Sequence, residues 1–181
     1  MRPAKELALH IPHRLCRAGV FAALSAVLVL SSTARSAAAE AACVAAATTE
    51  ESAVVEDART LRLEDGRLLR LAGIETFALL LDDPAAADAT ARDRLERLLA
   101  ENAVQVRLLS SESDRYGRLP ALLAAADAPL LQAVLAREGL ALAFATGDPI
   151  PCFAAILSAE AEARRLKRGF WAQARVLRAT P

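Results

Sequence analysis

The chain has 181 residues, 55% of them hydrophobic but only 4% aromatic, which suits one domain with a mainly aliphatic core. Its formal charge is zero overall and −4 from Glu40 onward, where 17 Lys and Arg face 21 Asp and Glu; that balance argues against strong nonspecific nucleic-acid binding, which needs basic surface to release counterions. Both histidines, His10 and His13, precede Ala18, so the remainder holds no Ser-His-Asp or Cys-His catalytic set and no His-containing zinc site.

The start of the chain reads as an export signal. Arg2, Lys5, Arg14 and Arg17 precede thirteen uncharged residues, Ala18 to Leu30, and Ala37-Ala38-Ala39 supplies small residues for cleavage before Glu40. Thirteen residues fall short of the roughly 20 that a spanning helix needs. The chain is therefore expected to divide into a signal peptide (1–39), a flexible lead (40–52), one folded domain (53–173) and a short tail (174–181), and to be exported to the periplasm or the outside. Cys16 lies within the signal, which leaves Cys43 and Cys152. In an exported protein such a pair most simply forms a disulfide, contributing roughly 4 to 5 kcal/mol in the chain-entropy model, with two separate thiols as the alternative.

From Val54 to Thr76 the pattern is that of a β-meander. Leu61 and Leu63 alternate with Thr60, Arg62 and Glu64, Asp65-Gly66 offers turn chemistry, and Leu69 and Leu71 alternate with Arg70 and Ala72. Such a hairpin gathers Asp57, Arg59, Arg70, Glu75 and Thr76 as a candidate polar site. Asp82-Asp83-Pro84 predicts a helix start, with Ala91, Leu95, Leu98 and Leu99 inward and the charged residues between them solvated. Strict alternation over Val104 to Leu108 predicts a strand, and Asp114 to Arg118 a turn into a strand over Leu119 to Ala126, with Pro120 marking an edge or an irregular start. Asp127 and Pro129 open a second helix that Gly139 stops. A last helix runs from about Pro151 to Lys167, with Phe153, Ile156, Leu157 and Leu166 inward, Glu160, Glu162, Arg164, Arg165 and Arg168 solvated, and Trp171 packed in the core after it. No glycine-rich phosphate loop is present. Strands first and helices late indicate an α+β domain.

Taken in order, these features form a D-x-x-T strand at Asp57, the turn Arg70-Leu71-Ala72-Gly73-Ile74-Glu75-Thr76, a helix, an alternating strand, and Asp114-Arg115-Tyr116-Gly117-Arg118. A helix ending Arg137-Glu138-Gly139-Leu140-Ala141 and a last helix closing on Gly169-Phe170-Trp171 complete the set. Over about Val54 to Ala172 the order resembles the staphylococcal nuclease (thermonuclease) family. The resemblance implies a five-stranded OB-fold β-barrel with three α-helices. In active members of that family two arginines hold the scissile phosphodiester, two aspartates help bind calcium, and a glutamate activates water, a division of labour that meets the general needs of phosphodiester hydrolysis.

Carried onto this chain, Arg70 and Arg118 match the two phosphate arginines, Tyr116 with Arg115 beside it matches the nucleotide-contacting turn, and Thr76 matches the calcium loop. Three positions depart. Arg59 stands where the first metal-binding aspartate belongs, Glu75 replaces the second, and Phe77-Ala78 replaces the family's Pro-Glu, so that Ala78 holds the place of the water-activating carboxylate. The aromatic pair that stacks on the base is reduced to Phe144. The leading expectation is an exported thermonuclease-like protein without metal-dependent hydrolysis and without a cofactor, a monomer in which Arg59 pairs with Glu75, binding a phosphate-bearing or other anionic ligand or a protein partner. The alternatives are a working calcium-dependent nuclease of DNA and RNA, with Glu75 and Thr76 on calcium and Asp82, Asp83 or Glu112 swung in, and a structural envelope module.

Overall fold

A computed structural model describes residue 43 and residues 52–101, 104–125, 130–145 and 149–173. The expected signal peptide, most of the lead, the Asp127 and Pro129 helix start and the tail lie outside the described residues. The elements are β1 (Ala53–Asp57), β2 (Thr60–Leu63), β3 (Leu68–Leu71), β4 (Ile74–Glu75), α1 (Pro84–Glu101), β5 (Val104–Leu108), β6 (Arg118–Ala125), α2 (Leu131–Arg137), β7 (Leu142–Ala143) and α3 (Phe153–Leu166). Single 3₁₀ turns cover Phe77–Leu80 and Gly169–Ala172.

The meander forms with its alternating leucines inward, although Thr60 and Ala72, expected on the other face, are buried as well. Leu61, Leu63, Leu69 and Leu71 are buried while Arg62 is exposed, and β1, β2 and β3 pair antiparallel. The tip closes with the Leu63 N–H donating to the Arg67 carbonyl at 2.9 Å, and Gly66 takes a φ of +87° that suits glycine. Beyond the meander, β3 pairs parallel with β6, and β6 antiparallel with β5, giving a mixed five-stranded sheet in the order β1-β2-β3-β6-β5. The five strands of this sheet and the three α-helices match the numbers expected, but among the described residues no ladder joins β1 to β5, so the sheet is open rather than a hydrogen-bonded barrel. A separate two-stranded ladder, β4 with β7, ties Glu75 to Leu142.

Pro120 is not at an edge, because β6 has a partner on each side. Its carbonyl accepts the Leu109 N–H at 2.8 Å, one residue past the end of β5, so the N–H that proline lacks falls where the ladder is already finishing. Farther along β6, where β3 has ended, the wholly buried Gln132 of α2 takes over the backbone: its amide donates to the Ala121 carbonyl at 2.9 Å and accepts the Leu123 N–H at 3.3 Å.

Helix α1 begins as expected, with Pro84 first and the Asp83 carboxylate accepting the Ala86 N–H at 3.0 Å. Its buried stripe is Ala87, Ala91, Leu95 and Leu98. Helix α3 differs from expectation. Ile156, Ala159 and Ala163 are buried, whereas Leu157 and Leu166 are 46% and 43% exposed. At 3.6 residues per turn those two leucines lie about 100° and 80° from Ile156 on opposite sides, off the inward stripe. Glu160, expected in solvent, is half-buried; that burial raises its pKa, opposed by Arg164 and by a hydrogen bond from the Ala143 backbone.

Trp171 is fully buried, as its place after the helix stop indicated, and its ring meets Phe77 edge-on at 5.2 Å, with Phe170 at 5.3 Å from Phe77. Gly139 is what lets this terminal turn close on α2: it has a φ of +72°, and a Cβ there would stand 2.2 Å from the Arg168 carbonyl oxygen. Cys43 and Cys152 are joined by a disulfide with Cα atoms 5.8 Å apart, tying Cys43 to the start of α3 across a sequence separation of 109.

Candidate functional site

The site grows from the β1–β2 turn. After the irregular pairing at Val55 and Asp57, the Asp57 carboxylate accepts the Arg59 N–H at 2.9 Å, and the Arg59 carbonyl accepts the Leu71 N–H at 2.8 Å. This fixes Arg59 at the end of the hairpin, one residue from Thr60, which pairs across the ladder with Arg70. Because β4 is held by β7, Glu75 is held as well, and the Arg59 guanidinium forms an ion pair with its carboxylate. The second Glu75 oxygen accepts the Thr76 N–H at 2.9 Å. Both side chains are about three-quarters buried, at 23% and 24% exposure, so the pair is partly shielded from water.

A second, larger clamp forms at the 114–118 turn. The Asp114 carboxylate accepts the N–H groups of Tyr116 at 2.9 Å and Arg118 at 3.0 Å, and it receives the Arg118 side chain through Nε at 3.0 Å and Nη2 at 2.8 Å. The remaining Arg118 nitrogen, Nη1, donates to the hydroxyl of buried Thr60 at 3.3 Å. Burial alone would raise the Asp114 pKa, but the bonds from Arg118 and the N–H of Tyr116 outweigh it and lower it. Tyr116 projects from the turn at 61% exposure with the guanidinium carbons of Arg115 and Arg118 at 4.9 and 5.0 Å from its ring centre.

Arg70 sits between these clamps and shares in neither. Among the described residues its guanidinium has no hydrogen-bond or ion-pair partner. Its pKa is lowered, first by burial and then by the positive charge of Arg59, with Glu75 opposing and Arg118 adding to the effect. It remains a cation at every physiological pH. Arg70 lines a cleft of about 310 Å³ whose walls include Arg107, Leu109, Phe144 and Ile150.

The predicted site residues are thus sorted by the fold. Arg59, Glu75, Asp114 and Arg118 all come close enough to act on the charge of Arg70. Arg115 and Tyr116 stand on the exposed turn. Ala78 is half-buried in the 3₁₀ turn that Phe77 anchors to Trp171, so the segment where a carboxylate would be needed is drawn toward the aromatic cluster. Of the carboxylates that could swing in, Asp83 is the cap of α1, and Glu112 is an exposed loop residue whose N–H is bonded to the Ser110 hydroxyl at 2.9 Å. Among the described residues no three His, Cys, Asp or Glu side chains gather as metal ligands would. Two contributors escaped the sequence reading: Thr60, whose pairing with Arg118 spans 58 positions, and Arg107, which the alternation of β5 does place on the face opposite buried Val106.

No curated protein matches the chain. The family model described as staphylococcal nuclease homologue matches residues 70–173, more than half of the chain, beginning at Arg70 and taking in the 114–118 clamp, all three helices and Trp171. The chain belongs to the staphylococcal nuclease homologue family, whose fold is the OB-fold.

Proposed function

We propose that this is an exported thermonuclease-like protein that has given up calcium-dependent hydrolysis and retains an anion site, suited to phosphate, on Arg70. One arrangement carries the reading: the Arg59 guanidinium takes up the Glu75 carboxylate, while among the described residues Arg70 beside it has no acidic ion-pair partner. Calcium requires six to eight oxygen ligands. Here the carboxylate offered by Glu75 is engaged by a guanidinium and a backbone N–H, Asp57 is engaged by the Arg59 N–H, and the Arg59 side chain brings positive charge and no lone pair. That donor set does not fit the ion, and Ala78 has no group to accept a proton from water.

What the residues do fit is an anion. Arg70 presents five N–H donors in a planar fork that matches two phosphate oxygens at once, and its partial burial strengthens a charge-assisted bond. The pairing of Cys43 with Cys152 supports the export reading drawn from the first 39 residues, since disulfides persist in oxidising compartments.

The test is to incubate the purified protein with single-stranded DNA and with RNA, in calcium and in chelator, and in parallel to titrate it with inorganic pyrophosphate. The expected result is no calcium-dependent cleavage, together with pyrophosphate binding that Arg70→Gln removes. Calcium-dependent cleavage abolished by Arg118→Ala would restore the working nuclease. Neither cleavage nor binding would leave a structural module.

A further inference from the structure

We propose that Arg107 is a second anion-binding residue of the cleft beside Arg70, and that the ligand selected is a small molecule joining a phosphate or similar dianion to an apolar, planar body, rather than a length of polynucleotide. The proposal rests on the reading of Arg70 as an anion site and adds the ligand class.

The strand pattern places Arg107. Val104 and Val106 of β5 point into the core, which turns Arg107 to the opposite face, where it lines the cleft with Arg70. Its described partner is neutral: Nη1 donates to the Cys43 carbonyl at 2.5 Å. Cys43 is itself buried and bonded to Cys152, which follows directly on Pro151 at the rim of the same cleft. The guanidinium is therefore held in place without its charge being cancelled, and its other donors remain for a ligand.

Among the described residues the cleft wall holds these two arginines and no aspartate or glutamate. Both arginines line the same cleft, and a dianion seated there is attracted by each guanidinium. Apart from Ser110, the other side chains of the wall are apolar, among them Leu109, Ile150 and Phe144, the last 47% exposed. A volume of about 310 Å³ lies at the lower end of the range for small-molecule sites. A polynucleotide channel would instead need a train of cations along an open groove, which a chain of net charge −4 beyond Glu40 does not favour.

The experiment is calorimetric titration of the purified, oxidised protein with three probes: inorganic phosphate, phenyl phosphate and a single-stranded DNA oligonucleotide. Phenyl phosphate is expected to bind more tightly than inorganic phosphate. Arg107→Gln, which keeps an N–H donor for Cys43, is expected to weaken phenyl phosphate about tenfold or more, the usual loss for a charge-assisted bond. Phe144→Ala is expected to bring the two phosphates to similar affinity, and Arg107→Lys to retain more binding than Arg107→Gln, with a melting curve on each variant to establish folding. If Arg70→Gln abolishes binding while folded Arg107→Gln behaves as wild type, Arg70 stands as an anion site and this proposal falls. If the oligonucleotide binds more tightly than phenyl phosphate, the small-ligand assignment falls. If no probe binds the wild type, both readings fall together.

Discussion

Four arginines around one hairpin meet two different fates. At one end Arg59 is spent on Glu75 and Arg118 on Asp114, each guanidinium fixed by a carboxylate that its own turn or ladder delivers. At the cleft, among the described residues, Arg70 has no hydrogen-bond or ion-pair partner and Arg107 donates to a carbonyl, so neither guanidinium is paired with an acid. Residue type is identical throughout; what differs is whether the backbone brings an acid within reach. The first end is structural in its energetics, because breaking a half-buried pair leaves an uncompensated charge. The second has guanidiniums not paired with an acid among the described residues, which is the ground on which an anion is proposed there.

Substitutions can break that contrast. The largest effect is expected for Arg70→Gln, which should weaken pyrophosphate binding by about 2 kcal/mol or more, at least thirtyfold, while leaving the melting temperature unchanged or slightly higher because a repelled charge has gone. A calorimetric titration beside a melting curve reads both. Asp114→Asn should do the reverse, costing about 1 to 2 kcal/mol in urea unfolding, since Arg118 loses the charged oxygen that accepts both its Nε and its Nη2. It should also strengthen pyrophosphate binding modestly, because a third guanidinium is released next to Arg70.

Arg59→Asp sharpens the comparison from the other side. It removes the guanidinium from Glu75 and sets two carboxylates together, so calcium at tenfold its dissociation constant should stabilise the variant by about 1.4 kcal/mol. The wild type should show no calcium-dependent shift in melting temperature. A wild type that responds as strongly as the variant would mean that the Arg59–Glu75 pair does not block the ion.

The smallest effect is in acid. The Asp114 pKa is depressed below its ordinary 3.8 in the folded protein, so the folded state holds that proton less tightly than the unfolded chain. Its contribution is then fully present above about pH 3.8 and lost as the pH falls through the folded value. Urea unfolding followed down through that range should show wild type losing its stability advantage over Asp114→Asn.

How much of this was legible in the sequence follows from how local each signal is. The hairpin, the start of α1 and the span of β5 depend on alternation, a turn dipeptide and a cap-proline pair, all within a few residues, and each took the form its pattern indicated. The Arg59–Glu75 pair was also within reach, because a cation at a carboxylate's position beside a retained acid invites it. The β4–β7 ladder was not: two-residue strands about seventy positions apart carry no periodicity of their own. The inward face of α3 was misread because leucines outrank alanines by hydrophobicity, whereas the helix packs its small residues, Ala159 and Ala163, against its neighbours and leaves Leu157 and Leu166 outside. Of the two settings that a missing donor suggests for Pro120, an edge or an irregular start, the edge is not met, and the proline lies near the start of β6 where the ladder with β5 finishes. The alternation of β5 turns Arg107 away from the core, but its anchoring on the carbonyl of a cysteine 64 positions earlier leaves no local signal.

The central claim, that the anion site has outlived the metal site, is tested most directly by the melting temperature of the wild-type protein in pyrophosphate and, separately, in calcium. The account predicts a concentration-dependent rise with pyrophosphate, absent in Arg70→Gln, and no shift with calcium. A rise with calcium and none with pyrophosphate would contradict it.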